Sequence, residues 1–227
     1  CSEALSRRPD WHEFTVCSTS FSQSPGFPRY DDLTRSAGGE VDVVTDDDFL
    51  KLCATESPQG ILCVMRHPGL CPPGLVEDPF VLVLDRISDP GNLGTILRTA
   101  WGTGLKCVWL TAGAADPFSP KGIRAGMGAQ FALDIVSCTD LVSARNTLGE
   151  LGIGPLWCTV PTGGISCYAD DFVLAGSALV IGNEANGIED LSLGQKVSIP
   201  MPGRAESLNA AQAATIFIYE GVRRGVL

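Results

Sequence analysis

Three stretches of this 227-residue chain each run from an apolar, strand-like segment straight into small and polar residues. The first passes from Leu84 through Asp89, Pro90, Gly91 and Asn92 to Arg98, Thr99 and Ala100. The second passes from Leu179 through Gly182, Asn183 and Glu184 to Gly187, and the third from Val197 through Ile199, Gly203 and Ser207 to Asn209 and Ala211. In open α/β sheets ligands bind at the carboxyl edge of the strands, so three such junctions point to one composite pocket. Those stretches contain guanidinium, carboxylate, amide and hydroxyl groups, among them the side chains of Arg98, Glu184, Asn92, Asn209 and Ser207. A cation with oriented polar groups can bind an anion or stabilise an oxyanion as it forms.

Each of these residues also has an ordinary structural role. Arg98 follows Leu93 by five positions, about 140° around a helix, at the border of an apolar stripe where a solvated arginine is common. Asn92 is suited to cap a helix that begins at Leu93, and Ser207 and Asn209 to cap the last helix. Glu184 reads as an exposed loop carboxylate. The familiar nucleotide signatures are missing. Gly102 and Gly104 begin a GxGxxG pattern that breaks at Cys107 and follows a helix, Gly126 and Gly128 fail likewise at Phe131, and no GxxxxGK[ST] loop occurs. His12 and His67 lie near neither each other nor a cysteine cluster, so no metal site is expected.

The elements that would position these groups follow from hydropathy. Near-continuous apolar runs at 80–84, 107–110, 131–136, 155–160, 178–181 and 197–201 read as strands of a parallel sheet covered on both faces. Between them, helical patterns are clearest at 93–101, 141–151 and 208–223. A Pro- and Gly-punctuated stretch around Leu70 to Gly74 separates this α/β region, residues 79–227, from a smaller one, residues 1–72. In the smaller region 41–44 and 61–65 read as strands, Thr45 to Asp48 resembles a capping box opening a short helix through Cys53, and 20–40 reads as loop. The chain opens inside what reads as an element, so an upstream segment is expected.

A formal charge of −10 argues against a general nucleic-acid binder. The acidity is uneven: residues 1–78 hold 6 basic and 13 acidic groups, residues 79–227 hold 10 and 13. Lys121, Arg124, Arg204, Arg223 and Arg224 are therefore candidates for a local positive surface. No apolar run reaches the roughly 18 residues of a membrane span and no charged-then-apolar leader opens the chain, so a soluble protein is expected. Nine scattered cysteines without a CxxC pair read as buried free thiols of a reducing compartment, the cytoplasm or an organelle matrix.

Taken together, the three polar stretches resemble the three motifs of the SpoU/TrmH family of RNA ribose 2′-O-methyltransferases, in the SPOUT superfamily. The likeness runs from about Phe80 to Leu227 and includes the segment from Lys121 to Ala129. Residues 41–66, above all Ala54 to Leu62, resemble more loosely the end of the small substrate-binding domain found in many members. Ala185 and Asn186 depart from the usual second motif. The resemblance implies a parallel α/β SPOUT domain with a C-terminal trefoil knot, preceded by a small α/β RNA-binding domain. It further implies a homodimer with a shared site, S-adenosylmethionine as cofactor and RNA, ribosomal in preference to transfer RNA, as substrate.

On the same resemblance the catalytic residues are Arg98, Asn92, Glu184, Ser207 and Asn209. Main-chain groups at Thr159, Gly182, Ile199 and Leu208 would hold the cofactor. A guanidinium with a pKa above about 12 is a poor base, so Arg98 is expected to clamp a phosphate and stabilise the forming alkoxide. No cysteine lies within the three motif stretches to serve as the nucleophile that base methylation often uses. Two rivals remain: an RNA-binding protein that keeps the fold without catalysing, and a dehydrogenase, which the missing glycine fingerprint disfavours.

Overall fold

The computed structural model describes residues 1–55, 57–74 and 77–227; Glu56, within the stretch likened above to a substrate-binding domain, lies outside them. The chain divides into two compact units, Cys1–Gly69 and Leu70–Leu227.

The first unit contains α1 (Ser2–Arg7), β1 (His12–Ser18), α2 (Thr19–Ser22), α3 (Phe27–Ser36), β2 (Val41–Val44), α4 (Asp46–Leu52) and β3 (Ile61–Met65). Its sheet has the order β2-β1-β3, with β2 parallel and β3 antiparallel to β1. Thr45 caps α4 by accepting from the Asp48 N–H, the geometry its sequence suggests. The stretch expected as loop, 20–40, instead holds α2 and α3. Pro28 sits in the first turn of α3, where a missing N–H costs nothing. The inward stripe of α3 is the partly buried Phe27, Tyr30 and Leu33 with buried Thr34, and Tyr30 packs edge-on against Phe21. So thin a stripe between Ser, Pro and Gly carries little helical signal.

The second unit contains β4 (Val81–Asp85), α5 (Pro90–Gly102), β5 (Cys107–Thr111), α6 (Pro120–Gly126), β6 (Asp134–Cys138), α7 (Leu141–Glu150), β7 (Leu156–Thr159), β8 (Ile165–Ser166), β9 (Ala178–Gly182), β10 (Gln195–Ser198) and α8 (Ala210–Arg223). Its seven-stranded sheet has the order β6-β5-β4-β9-β7-β10-β8, and every pairing is parallel. Alternation along β4 serves both faces. Leu82 and Leu84 join a core with Leu93, Ile96 and Leu97 of α5 and Ala214, Phe217 and Ile218 of α8, while Val81 and Val83 join a second core with Leu141, Ala144 and Leu148 of α7. Each such side chain stabilises the fold by roughly 1.5–3 kcal/mol.

Several expected boundaries move. Residues 129–131 form a single 3-10 turn, so the strand expected from 131 starts at Asp134. The strand expected over 197–201 ends at Ser198, leaving Ile199 and Met201 in the segment beyond it. Of the nine free cysteines only Cys17, Cys138, Cys158 and Cys167 are buried; Cys53, Cys63 and Cys107 are half-buried, and Cys1 and Cys71 exposed. The expectation of uniformly buried thiols fails because several lie at strand starts or in connecting segments. Among the described residues no helix is long and apolar enough to cross a membrane, and no cluster of His, Cys, Asp and Glu could hold a metal ion.

Candidate active site

The segments following β4, β9 and β10 meet, and side chains join them. Helix α5 opens at Pro90 and its N-cap is Asp89, whose carboxylate accepts from the Gly91 and Asn92 N–H groups at 3.2 and 3.3 Å. This corrects the reading of Asn92 as the cap: proline is favoured at the first helical position, so the helix starts at Pro90 and the Asn92 side chain bonds to other segments instead of capping. The Lys121 ammonium pairs with Asp89 and, with those N–H bonds, holds its carboxyl below the ordinary value.

Glu184 is saturated with donors. One carboxylate oxygen accepts from the N–H and the hydroxyl of Ser88, both at 3.0 Å; the other accepts from the Asp89 N–H at 3.1 Å and Asn92 Nδ2 at 3.0 Å. Burial pushes this carboxyl's pKa up, but the bonds from Asn92 and the main chain together outweigh it and hold it below its usual value. A carboxylate can only accept, so Asn92 must turn its Nδ2 toward it and its Oδ1 away. That Oδ1 accepts from Asn209 Nδ2 at 2.9 Å, and Asn209 Oδ1 accepts from the Ala211 and Gln212 N–H groups to cap α8. One directed chain of hydrogen bonds therefore runs from the β9 loop through α5 to the N-terminus of α8.

The loop carrying Glu184 is itself tightly closed. Asn183 and Gly187 exchange main-chain bonds at 3.2 and 2.9 Å, and Asn183 Oδ1 accepts from the Ala185 and Asn186 N–H groups. Gly187 has φ +63°, which glycine adopts without strain. At Gly182 a Cβ would lie 2.6 Å from the main chain of Gly187 and Ile188, so only glycine lets the loop fold back this closely.

Beside this chain of bonds lies a cavity of about 600 Å³, within the usual range for small-molecule sites. Four residues expected to act in catalysis, Asn92, Glu184, Ser207 and Asn209, line it, as do all four expected at the cofactor, Thr159, Gly182, Ile199 and Leu208. Arg98 does not. It is exposed on α5, without an ion pair or hydrogen bond among the described residues. Ser207 lies ahead of α8 and leaves its capping to Asn209 alone, contrary to the shared role expected of them.

The expected positive surface is also thinner than five cations. Lys121 is paired with Asp89, and Arg223 and Arg224 with Glu220. Arg224 further donates to the carbonyls of Cys167, Ala169 and Phe172. Arg124 and Arg204 remain exposed, with no such pairing among the described residues. Sequence reasoning missed Asp89, Ser88 and Asn183 as the groups that organise the site. The Asp-Pro pair at 89–90, a helix-start signature, could have revealed the first of these.

Comparison with known proteins agrees with this architecture. Residues 79–219 match the model of the SpoU rRNA Methylase family. The chain is 35% identical over 181 residues to RlmP, a 23S rRNA (guanosine(2553)-2′-O)-methyltransferase of Bacillus subtilis (strain 168), covering 78% of this chain and 70% of that protein. It is 34% identical over 207 residues to a 23S rRNA (uridine(2479)-2′-O)-methyltransferase of Streptomyces viridochromogenes, covering 86% and 71%. Among solved structures, an AdoMet-bound rRNA methyltransferase from Sinorhizobium meliloti superposes with a TM-score of 0.82 at 28% identity, over 100% of this chain and 86% of that one. With its three polar junctions closed on one cavity and the family model spanning most of the second unit, the chain belongs to the SpoU rRNA methylase family.

Proposed function

We propose that this protein transfers a methyl group from S-adenosylmethionine to a ribose 2′-hydroxyl of RNA, with ribosomal RNA preferred to transfer RNA. The observation that carries the reading is the directed chain Glu184–Asn92–Asn209 along a cavity that the four expected cofactor positions also line. The cavity fits the cofactor: its walls include Ile188, Leu191 and Phe217, suited to a flat adenine, and the backbone folds closely at Gly182. Main-chain groups at Thr159, Gly182, Ile199 and Leu208 would hold it there. When bound, S-adenosylmethionine supplies an electrophilic methyl group on a sulfonium.

The residues then divide the remaining work. Glu184, with every donor it can reach already bonded, is a positioning residue and no general base. Asn92 and Ser207 offer hydrogen bonds to the ribose, and Asn209 holds Asn92 in place. Arg98 clamps a phosphate and stabilises the negative charge that builds on the 2′-oxygen as the hydroxyl proton passes to solvent water. Since Arg98 lines no part of its own chain's cavity, it serves the site of a second copy in a homodimer, for which the exposed Tyr219 and Val222 of α8 offer apolar surface.

The remaining parts of the reading concern the path of the chain and its setting. A trefoil knot is supported by β10 lying between the earlier strands β7 and β8. The region 1–72 contributes to RNA selection by shape and hydrogen bonding, since most of its cations are already paired with carboxylates. Nine free thiols suit a reducing compartment, the cytoplasm or an organelle matrix.

A transfer assay with ribosomal RNA fragments followed by nucleoside mass spectrometry tests the reading. The label is expected on the ribose, and a 2′-deoxy target nucleotide should stop transfer, because the acceptor oxygen is gone. Label on a base overturns the chemistry. Cofactor binding without transfer to any RNA would favour the inactive RNA-binding rival.

A further inference from the structure

Arg86 directly follows β4 with φ +55°, a left-handed backbone that a non-glycine residue holds only when its surroundings fix it. Its surroundings come from three strand ends. From β5, the Thr111 hydroxyl oxygen accepts the Arg86 N–H at 3.0 Å, and the side chain lies against Gly113. From β9, Asn183 Nδ2 donates to the Arg86 carbonyl at 2.7 Å. The guanidinium faces the buried Asp85 carboxylate at 3.3 Å, the Gly187 carbonyl at 3.5 Å and Glu189 at 2.9 Å. Asp85 is held from its other side by the Thr111 hydroxyl at 2.8 Å.

We infer that Arg86 is a positioning residue that latches the loop of residues 183–188 against the sheet and thereby shapes the cofactor side of the cavity. The inference rests on the methyl-transfer reading only for what the cavity binds. Glu184 ties the front of this loop to Ser88, Asp89 and Asn92; Arg86 ties its back, at Gly187 and Glu189. Arg86 itself does not line the cavity, so it acts through the loop that does. Its left-handed backbone turns the guanidinium back over its own strand end, and the ion pair with buried Asp85 keeps it there.

The test uses three variants. Arg86→Gly removes the latch and relieves the backbone, Arg86→Ala removes the latch and keeps the strain, and Arg86→Lys keeps the charge without the fork. Titration calorimetry with S-adenosylmethionine should show affinity falling about tenfold in both Gly and Ala variants, the factor that one charge-assisted hydrogen bond represents, with partial rescue in the Lys variant. Melting temperature should separate Gly from Ala, with Gly higher. Affinity that tracks melting temperature across the three variants, or a Gly variant that binds like the wild type, overturns the proposal. Amide hydrogen exchange across residues 183–188 judges the latch independently of cofactor: faster exchange in Arg86→Gly is expected, and unchanged exchange overturns it even in a protein that binds no S-adenosylmethionine.

Discussion

Helix α8 is anchored at both ends by a carboxylate or amide network, and the two ends differ in what they face. At the N-terminus Asn209 caps the helix and joins Asn92 and Glu184 on the wall of the cavity. At the C-terminus Glu220, with its side chain 2% exposed, accepts from Arg223 and Arg224 at 2.6–2.7 Å. Arg224 in turn fills three carbonyls of residues 167–172 and lies over the Phe172 ring. Both ends satisfy their polar groups, but the first leaves amide and hydroxyl faces beside an open volume, whereas the second spends the Glu220 carboxylate on its own helix's arginines, of which only Arg223 reaches far into solvent. The network with spare capacity beside a cavity is the one proposed to act on a ligand, and the one built around the buried Glu220 carboxylate is a staple.

The comparison breaks most visibly at the enclosed end. Glu220→Ala leaves Arg224 without its counter-charge, and loss of one partner from a buried pair typically costs about 3–5 kcal/mol. Urea unfolding with an unchanged slope should report a loss of that order, while cofactor affinity of the folded protein stays near the wild-type value. Acid probes the same pair. The Arg223 hydrogen bond, opposed by burial and reinforced by Arg224, lowers the Glu220 pKa from 4.5 to about 2. A depressed folded-state pKa gives stability that is fully present above the unfolded value of 4.5 and lost as pH falls toward about 2. The acid limb of the stability profile should flatten between those values in Glu220→Gln; an unaltered limb would show that the pair does not carry it.

Arg98→Ala tests the proposed catalytic role with a somewhat smaller effect. Removing a donor to a developing oxyanion costs about 10²–10³ in rate. Stability should barely change, because Arg98 is exposed and bonds to nothing among the described residues. Cofactor affinity measured by calorimetry should also hold. A large loss of that affinity would place Arg98 at the cofactor and contradict its absence from the cavity wall. Mixing Arg98→Ala with a cavity-side variant such as Asn92→Ala should restore some transfer if the arginine serves a second copy.

How much of this was legible depended on sequence distance. The three polar junctions are local patterns of strand, turn and helix and so are legible as one composite pocket, whereas Asn92, Glu184, Ser207 and Asn209 stand out within them only through the resemblance to the SpoU/TrmH motifs. What joins them spans 92 positions from Asn92 to Glu184 and 117 from Asn92 to Asn209, and no short-range rule reaches so far. The cap of α5 was misplaced because Leu93 is the first apolar residue of its stripe, whereas Pro90 sets the start. Arg86 gave no signal, since glycine or asparagine is the residue type that advertises a left-handed backbone. Helix α3 hid for the opposite reason: its local composition reads as loop, and only packing on the first unit's core makes it helical.

Asn209 puts both halves of the comparison into one side chain, and Asn209→Asp should separate them with the smallest structural change. The carboxylate keeps an acceptor for the Ala211 and Gln212 N–H groups, and a negative charge at a helix N-terminus is favourable, so stability should move by less than about 1 kcal/mol. The donor to Asn92 Oδ1 is lost, and two acceptors now face each other. Asn92 can relieve this only by rotating its amide, which would turn an oxygen toward the Glu184 carboxylate and break the bond at 3.0 Å. Either outcome disorders Asn92, so transfer should fall about tenfold or more, as for a lost hydrogen bond to a charged group. Asn209→Ala should show the reverse balance in stability, with roughly 1 kcal/mol lost with the cap. Equal transfer in Asn209→Asp and wild type would mean that α8 needs only its cap, and that the chain from Glu184 to Asn209 is a staple like the one at the other end.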